Sequence, residues 1–299
     1  MLSKTSKFLI GVLVVCGLVF GGWYGYGLYS QPSIELESEV RTTPVTHLVV
    51  HSFANTPQQM LDNLREYGLS VHYVISADGQ VRQLVPENRV AWHAGPSFWA
   101  GASGLNQSSI GIELEHAEFG QTTFPQKQID AFEELAKSII ARHHIRPENI
   151  VGHSDIAPEG KMDPGRAFPW QQLAEQGIGM WYDISEADKM PENMRVAVLL
   201  ATIGYPVKGR QVVASAWAFR ERFMPEKVPY DAHIAERGDQ MFLARQAAAK
   251  LPPTERDAAL SQVPPIYPPD DGTYLTDPDF IRVLRAVAYR YQQQRAAAY

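Results

Sequence analysis

Ile110-Gly111-Ile112-Glu113-Leu114-Glu115 is the stretch on which the fold turns. Its alternation gives a β-strand with Ile110, Ile112 and Leu114 on one face and Glu113 and Glu115 on the other. A helical pattern follows at once: Ile129, Phe132, Ala136, Ile139 and Ile140 recur at helical spacing over residues 126–143, the best amphipathic helix of the chain. Two carboxylates on the polar face of a half-buried strand, backed by such a helix, point to an α/β unit that carries chemistry.

Upstream, Val45 to His51 is an apolar run ending in a histidine, and Thr56-Pro57-Gln58-Gln59 supplies an N-cap, a proline at the first helical position and a capping-box glutamine. That helix is expected to run to about Tyr67 and stop at Gly68. Ser70 to Ser76 and Gln80 to Val85 read as strands joined through Asp78-Gly79, a strong hairpin pair. Downstream, Ile150-Val151-Gly152 is a last short strand. Residues 45–179 therefore form an α/β domain, a mixed sheet flanked by helices. From residue 180 to 299 helical patterns dominate (Asn193 to Ile203, Gln211 to Phe223, Ala235 to Leu251, Asp279 to Tyr291), interrupted by an insertion at about 225–275. This part reads as a smaller all-α domain whose last helix is capped at Asp277-Pro278.

Composition bounds the function. The 299 residues hold 27 Lys and Arg against 33 Asp and Glu, a net charge of −6, which argues against nucleic acid as a partner. After Lys4 and Lys7, Phe8 to Tyr29 contains no charged side chain, enough at helical rise to cross a bilayer core of roughly 30 Å. Residues 1–30 are therefore expected to be an anchor or signal segment, and 31–44 a linker. The lysines precede the apolar run, so the rest of the chain is expected in a periplasm, anchored to the inner membrane. Cleavage to a soluble form and an outer-membrane lipoprotein are the alternatives. Cys16, the lone cysteine, follows Val15 and lies in this segment, so the exported part has no disulfide or thiolate chemistry.

The chemistry gathers at His51 and in the loop Gly152-His153-Ser154-Asp155-Ile156-Ala157-Pro158-Glu159-Gly160-Lys161-Met162-Asp163-Pro164-Gly165. Two imidazoles and a carboxylate, here His51, His153 and Asp163, are the set a catalytic zinc ion takes when a fourth position stays open for water. On spacing alone a structural role for these residues stands beside that one, and Glu115 competes with Glu113 as the base. His47, four residues before His51, reads as structural, and His143 and His144 as solvated at the negative end of their helix.

Five ordered blocks resolve the choice: Leu48-Val49-Val50-His51, Ser70-Val71-His72-Tyr73, Ala91-Trp92-His93-Ala94-Gly95, Asn106 through Glu115, and Gly152 through Gly165. Together they resemble the zinc-dependent N-acetylmuramoyl-L-alanine amidases of the AmpD and AmiD type. The resemblance implies one zinc ion on His51, His153 and Asp163, Glu113 as the catalytic carboxylate and Lys161 beside the reacting carbonyl. It further implies peptidoglycan or muropeptides as the partner, with Trp92, His93 and Asn106 as substrate contacts. The reaction expected is hydrolysis of the amide between N-acetylmuramic acid and L-alanine. A metal-free recognition protein of the same fold and a zinc hydrolase of another stem-peptide amide are the alternatives. Arg195 to Val207 and Ala216 to Phe223 resemble a three-helix peptidoglycan-binding-like domain, from which the insertion departs.

Overall fold

The computed structural model describes residues 36–54, 56–116, 123–228, 234–252 and 274–297, with 255, 259, 262, 266 and 267 between the last two stretches. Phe8 to Tyr29 lies outside the described residues, among which no helix is long and apolar enough to cross a membrane.

The N-terminal part runs β1 (Ser38–Val40), β2 (His47–Phe53), α1 (Pro57–Glu66), β3 (Tyr73–Ile75), β4 (Val81–Gln83), β5 (Arg89–Ala91), β6 (Phe98–Trp99), β7 (Ala102–Ser103), β8 (Ser109–Glu115), α2 (Gln126–His143), β9 (Ile150–Gly152), α3 (His153–Ile156) and α4 (Trp170–Glu175). A five-stranded mixed sheet in the order β4-β3-β8-β2-β9 forms its centre. Only β4 runs antiparallel, against β3; the other pairs are parallel.

The local signals act as expected. Gln59 N donates to Thr56 Oγ1 at 3.3 Å and Thr56 N donates to Gln59 Oε1 at 3.1 Å, a reciprocal cap on α1 worth about 1 kcal/mol. Gly68 follows at φ +62°, the left-handed conformation that glycine adopts without strain. On α2, Ile129, Phe132, Leu135, Ala136 and Ile139 are buried against Ile110, Ile112 and Leu114 of β8. Each large apolar side chain so buried contributes roughly 1.5–3 kcal/mol.

Two differences from the sequence reading have local causes. Strand β2 continues past His51 to Phe53 because Ser52 and Phe53 still find partners in Leu114 and Glu115. The segment read as a linker contains β1, paired with β5, and Arg41. Arg41 donates to the carbonyls of Glu87, Arg89, Gln107 and Ser109, so one half-buried guanidinium ties the entrances of β5 and β8 together.

The C-terminal part runs α5 (Val196–Ile203), α6 (Gln211–Phe223), α7 (Ile234–Ala249) and α8 (Pro278–Ala296), the last capped by Asp277, which accepts from Asp279 N at 2.9 Å. Of these, α5, α6 and α8 lie on the sheet face opposite α2. Leu199, Leu200, Phe219, Phe223, Phe280 and Leu284 share one core with Val49 of β2, Val151 of β9 and Trp99. The helical region thus closes the second side of the sheet.

Candidate metal centre

Strand register brings the site together. His51 on β2 pairs directly with Glu113 on β8, so both side chains leave the same face at neighbouring positions. Strand β9 ends at Gly152, which delivers His153 to the first position of α3. Ser154 N then donates to Asp163 O at 2.8 Å, and the loop folds back so that Asp163 meets the two histidines. Gly152 permits this closure, since a Cβ there would lie 2.8 Å from Pro164 Cδ.

Three atoms converge. His51 Nδ1 is 2.9 Å from His153 Nδ1 and 3.1 Å from Asp163 Oδ2, and His153 Nδ1 is 3.0 Å from the same oxygen. A hydrogen-bond network behind His51 engages the other side of its ring. Ser109 donates its hydroxyl to Leu105 O at 2.6 Å, so its oxygen must accept from His93 Nε2 at 3.1 Å. Burial, reinforced by the neighbouring His51, His72 and His153, holds the His93 imidazole far below its usual titration range and therefore neutral. Its Nδ1 then has no proton and accepts from His51 Nε2 at 2.9 Å. His51 Nε2 is thus engaged by His93, and Nδ1 is the ring nitrogen that faces Asp163 and His153. Burial likewise pushes His153 down to about 3.

Such a triangle of donors fits a cation. Metal–nitrogen bonds of about 2.0–2.1 Å in tetrahedral geometry set ligand atoms about 3.4 Å apart, a few tenths wider than the spacings here. Among the described residues, His51, His153 and Asp163 form the group of histidines and carboxylates able to hold a metal ion. Burial raises Asp163, but the imidazoles of His153 and His51 set against it outweigh that and keep the carboxyl well below its usual range. An ionised carboxylate and a neutral His153 are protonation states that metal binding demands.

Glu113 lies beside the triangle. Its Oε2 is buried with no hydrogen-bond partner among the described residues. Burial raises its carboxyl to about 7, against the pull of His51 and Lys161 and with the push of Asp163. Glu115, on the same strand face, instead accepts from Ala77 N at 3.0 Å in the β3–β4 turn. Lys161 is half-buried in the loop, close enough for its charge to act on Glu113 and His153.

The other expected residues fall around this centre. His93 stands behind His51, its ring flat against β8 where a Cβ on Gly111 would come within 2.6 Å. Asn106 Oδ1 accepts from His93 N at 3.0 Å and Ala94 N at 2.7 Å, so Asn106 holds the His93 backbone. Trp92 is half-buried, its backbone N–H donating to Ser70 Oγ at 2.8 Å. His72 accepts from Gly111 N at 3.0 Å through Nδ1, and His47 contacts Thr46 Oγ1. His143 is not solvated: its Nε2 lies 2.7 Å from Glu87.

Several residues of the neighbourhood escape sequence reading. They are Ser109, which lies inside the fourth block but gives no sign there of its bond to His93, Arg41, and a group from the helical region. In that group the Tyr267 hydroxyl lies 3.1 Å from both Lys161 O and Glu221 Oε2. A hydroxyl on a distant segment gives no local sign of its partner.

Comparisons with known proteins agree with this geometry. Residues 41–166 match the family described as N-acetylmuramoyl-L-alanine amidase. The N-acetylmuramoyl-L-alanine amidase AmiD of Escherichia coli (strain K12) is 39% identical over 245 residues, 71% of this chain and 89% of that one. The 1,6-anhydro-N-acetylmuramyl-L-alanine amidase AmpD of Enterobacter cloacae is 43% identical over 105 residues, 35% of this chain and 55% of that one. Among solved structures, E. coli AmiD in complex with anhydro-N-acetylmuramic acid-L-Ala-D-gamma-Glu-L-Lys superposes with a TM-score of 0.56 at 38% identity, covering 63% of this chain and 84% of that one. AMPDH3 of Pseudomonas aeruginosa in complex with anhydromuramic pentapeptide gives 0.57 at 32%, covering 67% and 94%. A buried histidine, histidine and aspartate beside an unpartnered glutamate, on a chain so similar to these enzymes along most of their length, belongs to an amidase of the N-acetylmuramoyl-L-alanine amidase family.

Proposed function

We propose that His51, His153 and Asp163 hold one zinc ion, and that around it Glu113 and Lys161 hydrolyse the amide between N-acetylmuramic acid and L-alanine in peptidoglycan fragments. The observation that carries this reading is the convergence of His51 Nδ1, His153 Nδ1 and Asp163 Oδ2 beside Glu113, whose buried Oε2 has no hydrogen-bond partner among the described residues. Zinc bound there supplies Lewis acidity, which makes water nucleophilic near neutral pH and draws charge from an amide carbonyl.

The protein's own groups then do the proton work. A Glu113 carboxyl raised to about 7 is well matched to taking a proton from the attacking water and returning it to the leaving amine of L-alanine. The Lys161 ammonium offsets the negative charge that develops on the carbonyl oxygen. His93 and Ser109 keep His51 in the tautomer that leaves Nδ1 available, as hydrogen-bonded partners of metal-binding imidazoles do. Half-buried Trp92, with His93 and Asn106 behind it, is the wall against which a muramyl fragment would lie.

The fragment bound to E. coli AmiD supports anhydro-muramyl peptides as substrates. The division into a catalytic part over 45–179 and a helical part over 180–299 follows the extent of the motif blocks. The uncharged run Phe8 to Tyr29 supports placing both in the periplasm, held to the membrane by that run.

The test is to incubate the full chain with purified peptidoglycan and with an anhydro-muramyl tripeptide, with and without a zinc chelator, and to weigh the products by mass spectrometry. Release of peptide with an L-alanine amine terminus, abolished by the chelator and restored by zinc, is expected. Cleavage inside the stem would move the reaction to another amide, and binding without product would make the chain a recognition module.

A further inference from the structure

Asp155 lies two positions after His153 on α3 and is 1% exposed. Through Oδ2 it accepts from Gly152 N at 2.8 Å, closing the turn that presents His153. Its remaining partners come from the helical region. Arg222 of α6 makes an ion pair with Oδ2 at 2.5 Å, and Tyr205, just after α5, donates its hydroxyl to Oδ1 at 2.5 Å.

Both partners are buried, and the Arg222 guanidinium lies 3.9 Å over the ring of Trp170. The same guanidinium donates to Ile150 O at 3.2 Å. It therefore grips the strand that leads into His153 as well as the helix that carries it. Ser154 N binds Asp163 O at 2.8 Å, so any tilt of α3 is passed to the third member of the triangle. A charge pair this deep carries a desolvation penalty that apolar side chains of similar volume would avoid. What it provides in return is direction: a planar fork and a hydroxyl fix the carboxylate in one orientation.

We propose that Tyr205 and Arg222 are positioning residues for the metal centre, acting through Asp155 to set the mutual geometry of His153 and Asp163. The inference rests on the reading of His51, His153 and Asp163 as zinc ligands. On it, the C-terminal helices are a working part of the amidase site, whatever affinity for cell wall they add.

Tyr205→Phe removes one hydroxyl, and Arg222→Lys keeps the charge but loses the fork. For the full chain and each variant, zinc affinity is measured by competition with a chromophoric chelator, the cobalt-substituted protein is examined by visible absorption, and the metal-free unfolding midpoint is recorded. Each substitution is expected to weaken zinc binding by about 10–100-fold and to alter the cobalt bands, with the metal-free Tyr205→Phe protein unfolding close to the parent. Lower stability with unchanged zinc affinity and cobalt spectrum would overturn the proposal and leave the contacts purely structural. Should Arg222→Lys fail to fold, Tyr205→Phe decides alone. A parent chain that binds no zinc would overturn the ligand assignment and this inference together, whereas a parent that binds zinc no better than its variants would overturn this inference only.

Discussion

Two buried polar clusters lie within a few residues of each other, and they are built on opposite principles. Around Asp155 the carboxylate meets a guanidinium, a phenol hydroxyl and a backbone N–H, so charge and hydrogen bonding both close. Around Asp163 the same kind of carboxylate faces the ring nitrogens of His51 and His153, beside a glutamate oxygen with no partner among the described residues. The first carboxylate finds its partners within the protein. The second, on the proposed function, is left for a cation and a substrate to complete. Because an unmet polar group in a protein interior costs about 1–3 kcal/mol or more, the difference separates a carboxylate that the fold holds in one orientation from one that it leaves open.

That contrast can be broken by substitution. Glu113→Gln keeps the shape of the open cluster and removes the proposed base; kcat for release of the stem peptide is expected to fall by about 100–10,000-fold, with zinc content and unfolding midpoint held. A large loss of stability in this variant would show that the open cluster also supports the fold. Arg222→Met attacks the closed cluster, leaving a buried carboxylate without its cation. Breaking a buried pair in this way costs about 3–5 kcal/mol, to be read as a drop in the urea midpoint; an unchanged midpoint would mean that the pair contributes direction and no stability.

Glu87 sharpens the comparison from a half-buried position. Burial would raise its carboxyl, but hydrogen bonds from Arg142, Tyr73 and His143 lower it to about 2. With the folded value depressed below the ordinary 4.5, its stabilisation is present above about pH 4.5 and is lost as the pH falls through about 2. The contribution is on the order of 1 kcal/mol. Glu87→Gln is expected to flatten the dependence of unfolding free energy on pH over that window, and a curve parallel to the parent would remove Glu87 from the acid response.

Much of the architecture was legible because its signals are local. Thr56, Pro57 and Gln59 mark the start of α1, Asp78-Gly79 the β3–β4 turn, and the spacing from Ile129 to Ile140 the face of α2. The pairing of His51 with Glu113 was not local, and spacing left Glu113 and Glu115 equivalent. What separates them is distance along the strand: Glu113 lies opposite His51, whereas Glu115 has passed the edge of the site and caps the turn at Ala77. Arg41 was passed over because its partners are backbone carbonyls, which every residue type supplies. Arg222 and Tyr205 were hidden for a related reason, since α6 reads as an ordinary apolar helix and only the fold shows that its guanidinium ends at Asp155.

The Tyr267 hydroxyl, placed between Lys161 O and Glu221 Oε2, has a consequence in the counting of protons. A phenol has one to give and here faces two oxygens. Burial raises the Glu221 carboxyl to about 8, in spite of Tyr267 and Arg166, which weakens its claim on the phenol proton and favours the bond to Lys161 O. The loop that carries Lys161 and Asp163 is thereby tied to a proton on α6, and ionisation of Glu221 would draw the phenol away from it.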